Sequence, residues 1–517
     1  MRATAIVLLA LALATVASAA RSVGTPGNDR LVGTARADTI LGLEGRDRIV
    51  GGAGADFLHG GRGRDTFDAG PGADRVVAQY DGDRDSVRCG PGADLVNADL
   101  ADSVARDCEL VGRRLSRDPY TNPESQHETE VEPDSLTVGR TTVATYQVGR
   151  RFDGGATNIG FAVSSDDGRT WRSGLLPGLT TASRPAGLHA RASDPVVAFD
   201  AAHGVWLIST LAIDPPATRL TVSRSADGLA WSAPIVATEA STSVGIALDK
   251  NWIACDNGAT SPFRGRCYIA YTDNLRGDTL GVVSSSDGGL TWSAPVAIPA
   301  PSAVGALPLV RPTGELVVVY LQGVNRIGAV GSGDGGATFG PPVTVSDVQV
   351  RDARGLRFFP LPAADVDAVS GRVWVTWHDC RFSAGCSENS VVVSTSGDGR
   401  SWTPPARVTS GRNAYLPTIG LHPRTGRAAL AYYVLHPGGG IDAELVESAA
   451  TGTGWGVPRR LSAQTMRPDW LPDTVSGRML ADYISVHYAG LRPLVVWVLA
   501  SEPVGVSFRQ AVYATRG

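Results

Sequence analysis

An all-β chain, a short parallel β-roll followed by a β-propeller, is the fold this sequence predicts, and three observations predict it. Aspartates recur every nine residues near the start, at Asp29, Asp38, Asp47, Asp56, Asp65 and Asp74. Further on, a Ser-x-Asp motif followed by glycine is closed by an aromatic residue at Trp171, Trp231, Trp292, Phe339 and Trp402, with a degenerate sixth copy at Trp455. Around these markers lie β-branched and aromatic runs with almost no helical periodicity.

Residues 1–20 read as a secretory signal: Arg2, an apolar run from Ala5 to Leu13, then small residues ending Ala17-Ser18-Ala19-Ala20. No later stretch is long and apolar enough to span a bilayer, so free secretion is expected, with cell-surface association left open. A net charge of −4 without a basic stripe argues against nucleic acid as a partner.

Residues 21–112 form the roll. Each nonapeptide supplies one turn and one short strand, so two complete a coil and like turns stack on one edge. Glycine takes the positive-φ turn positions that other residues avoid. Asp38 then pairs with Asp56, Asp47 with Asp65 and Asp56 with Asp74, while Ile40, Ile49, Leu58, Phe67 and Val76 point inward. After Asp74 the register slips across Asp81, Asp83 and Asp85 and resumes at Asp94. The segment carries 16 acidic and 11 basic side chains; a disordered acidic linker would share that charge but not the in-register apolar position. Its fullest copies, Gly51-Gly52-Ala53-Gly54-Ala55-Asp56-Phe57-Leu58 and Gly60-Gly61-Arg62-Gly63-Arg64-Asp65-Thr66-Phe67, match G-G-x-G-x-D-x-U-x. They resemble the hemolysin-type, or repeats-in-toxin, family. The resemblance implies Ca2+ as cofactor, held by turn carbonyls and by Asp38, Asp47, Asp56, Asp65 and Asp74, hard oxygen ligands suited to that ion.

Residues 113–131, rich in Arg, Asp, Pro and Glu, read as a linker, and 132–517 as the propeller. The closing aromatics lie some fifty to sixty residues apart, the length of a four-stranded blade. An Asp-Gly pair makes a tight turn, the Asp accepts backbone N–H groups there, and the aromatic anchors it from below. Seven units are favoured when the stretch from Asp482-Tyr483 to Val512 is counted; six stay possible, because a strand near Val111 to Leu115 is able to close or replace the last. First strands are expected to open at Glu132-Pro133-Asp134, Asp194-Pro195, Asp249-Lys250, Phe359-Pro360 and Leu416-Pro417. The motif, as in Ser285-Ser286-Asp287-Gly288-Gly289-Leu290-Thr291-Trp292, resembles the Asp box of sialidase-type (BNR) propellers.

The six cysteines fall into short-range couples, Cys89 and Cys108, Cys255 and Cys267, Cys380 and Cys386, as suits disulfides in an oxidising compartment. Connectivity is not fixed by spacing, and the rival zinc reading lacks paired ligand spacing. Lys250 is the only lysine in the chain.

Sialidase activity, were it implied, would require three arginines around a carboxylate, a tyrosine nucleophile with its glutamate, and an aspartate acid/base. The family's Arg-aliphatic-Pro tripeptide is absent here; Arg357-Phe358-Phe359-Pro360 and Arg184-Pro185 are the nearest stretches. No catalytic residue is therefore assigned. Propeller geometry alone places Glu132, Asp134, Asp194, Asp249, Lys250, Arg357, Tyr415, Asp482 and Tyr483 around one channel mouth. Three functions follow: a secreted calcium-binding protein whose propeller binds an extracellular glycan or glycoconjugate, a sialidase-type glycoside hydrolase with a drifted site, and a structural or adhesive surface protein. Oligomeric state is left open.

Overall fold

A computed structural model describes residues 19, 21–80, 82–241, 246–353, 355–449 and 454–517. The expected signal at 1–20, Ala19 apart, lies outside the described residues, as does Asp81. Strands dominate the described residues, with three short 3-10 turns among them. No helix among the described residues is long and apolar enough to cross a membrane. The chain divides into two compact units after Glu109.

The first unit is a stack of short parallel strands in two sheets. One contains Arg21–Val23, Thr39–Glu44, Phe57–Arg62, Arg75–Ala78 and Leu95–Ala98; the other contains Arg30–Val32, Arg48–Val50, Thr66–Asp68, Ser86–Arg88 and Ser103–Val104. Ile40 lies opposite Leu58 and Ile49 opposite Phe67, each pair two nonapeptides apart. Ile40, Ile49, Leu58, Phe67 and Val76 are all buried, as period-2 side-chain alternation within each short strand requires. Past Asp74 the coil lengthens: Phe67 faces Val87 and Val76 faces Val96. The extra residues fall between the strands Arg75–Ala78 and Ser86–Arg88, and parallel stacking continues beyond them, Ser86 facing Ser103. Cys89 and Cys108 form a disulfide across the last coil.

Among the described residues of the second unit the strands form seven antiparallel runs of four, with a small two-stranded sheet, Asp473–Thr474 and Gly477–Arg478, ahead of the last run. Their first strands are Glu130–Val138, Arg191–Asp200, Leu248–Cys255, Ala303–Val310, Ala363–Val366, Ala414–Leu421 and Ser485–Ala489. Each first strand packs against the next, and the last packs against the first, closing a ring. The outer strand of the last run is Leu110–Arg114, antiparallel to Gln510–Arg516. Part of the segment expected as linker is thus strand, because the last run otherwise lacks its fourth member. The fifth run opens two residues later than expected, after Leu361-Pro362 rather than Phe359-Pro360, so that Phe359 stays on the preceding loop. Cys255 bonds Cys267 and Cys380 bonds Cys386, so all six cysteines pair as nearest neighbours.

Five turns between third and fourth strands share one hydrogen-bond pattern. In each, a serine hydroxyl donates to the aspartate, as Ser332 does to Asp334 Oδ1 at 2.8 Å, and the aspartate accepts an N–H four residues on or nearer, here Thr338 at 2.9 Å. The Thr338 hydroxyl and N–H hold the Asp334 carboxyl down, to about 2. A depressed folded-state value means stability that is present above the ordinary 3.8 and is lost as pH falls toward 2. The melting-temperature gap between wild type and Asp334→Asn is therefore expected to be constant near neutrality and to close across that acid window. A gap unchanged down to the acid limit would contradict it.

Candidate functional site

Third strands run parallel to first strands, so these turns lie at the end of each sheet opposite the start of the first strand. At that start, the first strands carry a repeated bulge. The pairing register shifts between Val131 and Asp134, Ser193 and Val196, Asp249 and Trp252, Val304 and Leu307, and Tyr415 and Thr418. One residue of each shift is left-handed: Glu132 (φ 52°), Asp194 (47°), Lys250 (50°), Gly305 (68°) and Leu416 (49°). Glycine suits this geometry without strain, yet only the fourth copy has it. Three successive bulges instead re-aim a charged side chain toward the ring centre, the kind of position where strain accompanies function.

The result is a compact ionic cluster. Lys250 Nζ lies 2.5 Å from Asp482 Oδ2 and 3.9 Å from both Glu132 Oε1 and Asp194 Oδ1. Arg357 reaches in from the loop before the fifth run and grips Asp482 with both arms, Nε to Oδ1 at 2.8 Å and Nη2 to Oδ2 at 2.6 Å. Gln147 donates to Glu132 and to Ser193 Oγ. Burial works against the Asp482 charge, but the Lys250 ammonium and Arg357 guanidinium hold its carboxyl well below the usual range. Glu132, buried with only partial relief from Lys250, is pushed well up. Burial and the neighbouring Asp194 push Asp249 up to about 7.

Of the nine expected ring residues, Glu132, Asp194, Asp249, Lys250, Arg357 and Asp482 meet in this cluster. Tyr483 borders it, its hydroxyl donating to the Pro195 carbonyl at 3.3 Å and its ring set edge-on to Trp252. Asp134 sits deeper, where its Oδ2 accepts the Val197 N–H of the next run at 2.9 Å; Asp365 repeats that tie with Leu421 N at 2.7 Å. Tyr415 stays apart: its ring stacks on Phe358 and its hydroxyl donates to the Arg351 carbonyl. In the sixth run the re-aimed residue is Leu416, which leaves its neighbour Tyr415 facing into the packing. Sequence reasoning missed Arg150, buried at the end of a second strand, with Nη1 on the Gly155 carbonyl and Nε on Met479 Sδ. The cluster opens on a cavity of about 420 Å³ lined by all seven first strands, polar at Asp194, Lys250 and Asp482 and apolar along Ile253, Leu307 and Ile419.

The first unit holds a different array. Asp38 N–H donates to Asp56 Oδ1, Asp47 N–H to Asp65 Oδ1, and Asp56 N–H to Asp74 Oδ1, each at 2.8 Å. The ladder crosses the insertion, with Asp65 N–H on Asp85 and Asp74 N–H on Asp94. The second oxygens of Asp47, Asp56, Asp74 and Asp94 are buried without a hydrogen-bond partner, a costly state for a carboxylate. A Cβ added to Gly51 would collide with the Ala69 carbonyl oxygen and Asp56 Oδ2, and one on Gly42 with the Gly60 carbonyl oxygen and Asp47 Oδ2. Oxygens from successive coils thus converge on points that only glycine leaves open, a donor set of carbonyl and carboxylate that fits calcium. No three His, Cys, Asp or Glu side chains converge among the described residues, so carbonyls are needed to complete such a site. Burial, then the charges of Asp56 and Asp94, push the Asp74 carboxyl up to about 7 against the pull of a backbone hydrogen bond.

Residues 23–58 and 41–76 match the RTX calcium-binding nonapeptide repeat (4 copies). The N-terminal unit therefore carries RTX calcium-binding repeats. No curated protein matches the sequence. Among solved structures, a leech intramolecular trans-sialidase is similar at 14% identity and TM-score 0.44, over 60% of this chain and 65% of that one. A Hadza microbial sialidase is similar at 17% identity and TM-score 0.42, over 59% and 64%. A protein of unknown function from Dyadobacter fermentans is similar at 17% identity and TM-score 0.41, over 63% and 94%. The chain spans less than two thirds of the length of the first two.

Proposed function

We propose that this is a secreted calcium-binding protein whose second unit binds a glycan at the channel mouth. The observation that carries the reading is the ionic cluster bordering a cavity of about 420 Å³ with Trp252 and Tyr483 beside it. That volume lies in the range of small-ligand sites, in which a few placed polar groups orient a ligand against apolar walls. Carboxylates and cations supply acceptors and donors for sugar hydroxyls, and the aromatic edge supplies a surface for the C–H face. A role as a rigid spacer alone gives no use for such a cavity.

In the first unit, Asp38, Asp47, Asp56, Asp65 and Asp74 would hold calcium together with carbonyls of neighbouring coils. The ion's part is to neutralise stacked carboxylates and tie one coil to the next. Gly51→Ala puts a methyl group where these oxygens converge and is expected to cost at least about tenfold in calcium affinity, read by calorimetric titration. Unchanged affinity would place the ion elsewhere.

The glycan reading is tested by an array screen of the calcium-loaded protein, with hits repeated on Trp252→Ala and Asp194→Asn. Loss of the hits in both variants supports it, and retention in both sinks it. A glycoside hydrolase is the second reading, favoured by one observation: Asp249, pushed up to about 7 by burial and Asp194, shares the Lys250 ammonium with an Asp482 kept ionised. Carboxyl groups pushed apart in this way suit acid and base roles. Turnover of fluorogenic glycosides, rising and falling about neutral pH, would favour it over simple binding.

A further inference from the structure

We infer that the channel-mouth site takes neutral sugars and rejects acidic ones, because the protein's own Asp482 carboxylate fills the cationic seat from within. This rests on the ligand site proposed above. A guanidinium meets a carboxylate best with two parallel N–H···O bonds, and Arg357 makes that fork on Asp482 at 2.8 and 2.6 Å. Lys250 covers the same carboxylate from another side at 2.5 Å. The arrangement is that of a carboxylate receptor with its guest in place, except that the guest is part of the chain.

Exposure shows which partner faces outward. The Asp482 side chain is 0% exposed, whereas Lys250 is 16% and Arg357 14% exposed. Lys250 lines the cavity beside Asp194 and Asp482, so the surface it keeps there adjoins carboxylates that already meet its charge, while Arg357 holds Asp482 from the other side. A second carboxylate arriving from solvent would have to share these cations with Asp482, with Glu132 and Asp194 also 3.9 Å from the ammonium. Like charges crowded in a poorly solvated site repel strongly. To displace Asp482 instead would strand a buried ion among other carboxylates. Arg150 offers no alternative seat, since it is 3% exposed and directed to a carbonyl and a sulfur. A neutral polyol meets none of these barriers, because its hydroxyls donate to carboxylate oxygens and accept from the Lys250 ammonium.

The test uses the full-length calcium-loaded protein. Wild type is expected to bind neutral oligosaccharides from the array and to bind glucuronic and N-acetylneuraminic acid at least about tenfold more weakly, a selectivity of more than one kcal/mol in free energy. Asp482→Ala empties the seat. In that variant formate is expected to raise the melting temperature where equal chloride does not, and affinity for the two acidic sugars is expected to rise at least tenfold over wild type. Should the variant fold poorly, its refolding yield in formate against chloride reads the same property. Acidic sugars bound by wild type as tightly as neutral ones, or no formate effect on melting or refolding, would overturn the inference. If wild type binds no sugar of any charge, the ligand reading falls, and a formate effect then still establishes the internally filled seat.

Discussion

Replacing Lys250 by methionine is expected to destabilise the second unit by about 3–5 kcal/mol, the cost of breaking a buried ion pair from one side. The methionine fills much of the same volume, so the loss isolates charge. Without the ammonium, Asp482 keeps only Arg357, and Glu132 and Asp194 lose the cation they share. Urea midpoints of wild type and variant, at unchanged slope, give the figure; a loss below about 1 kcal/mol would mean the cluster is hydrated like a surface pair. The pH dependence has a definite sign. Burial lowers the Lys250 value, but Asp482 and the other carboxylates overcome it and raise the ammonium above its ordinary 10.5. Its contribution is therefore fully present below 10.5 and is lost only as pH rises beyond that, so any slope in the difference between wild type and variant near neutrality reports Asp249, which Lys250 draws down against burial. Lys250→Arg is not expected to restore stability. A compact ammonium fits among three carboxylates, whereas a planar guanidinium needs paired acceptors in one plane. That geometry accounts for a lysine at this point in a chain whose other basic residues are all arginine.

Chelating calcium from the full-length protein is expected to unfold much of the region from residue 21 to 109 while leaving the second unit folded. The buried second oxygens of Asp47, Asp56, Asp74 and Asp94 have no protein partner, and the carboxylates stack with like charges above and below. An ion present at a thousand times its dissociation constant contributes about 4 kcal/mol at each site, and loss of several such contributions exceeds what a unit of this size holds in reserve. Hydrogen exchange resolved by peptide reads the outcome: amides from Thr39 to Ala98 should lose protection on chelation, and those of the ring of first strands should not. The Cys89–Cys108 disulfide should leave the last coil the slowest to open. Unchanged protection across the first unit would show that the coils stack without an ion.

Much of this architecture is legible in the sequence because each repeat ties a turn to a strand. The nonapeptide period sets both the aspartate ladder and the inward Ile40, Ile49, Leu58, Phe67 and Val76. The slip after Asp74 is visible as well, but which of the aspartates that follow rejoins the ladder depends on where the extra residues bulge, and Asp85 is chosen. The charged ring is legible for a similar reason: an acidic or basic residue before a proline or asparagine at the head of a first strand marks the bulge that turns it inward. Tyr415 fails that rule by one position, and a one-residue step reverses the face of a strand side chain. Arg357 belongs to a loop rather than to a strand head, and its place depends on the turn from Leu356 against Arg478. Arg150 has no local sign beyond a charge ending an apolar strand. The closing strand Leu110–Arg114 pairs with residues some four hundred positions on; a strand near Val111 to Leu115 is legible in the sequence, but local pattern does not decide whether it closes the last unit or replaces it.

The sole lysine provides a direct report on whether a ligand occupies the channel mouth. Protein labelled with carbon-13 at lysine Cε should give one resonance, from Lys250. Saturating a neutral oligosaccharide chosen from the array should move that resonance, and Trp252→Ala should abolish the movement together with the binding. A sugar that binds by calorimetry while the Lys250 resonance stays in place would put the binding site elsewhere and contradict a ligand at the channel mouth.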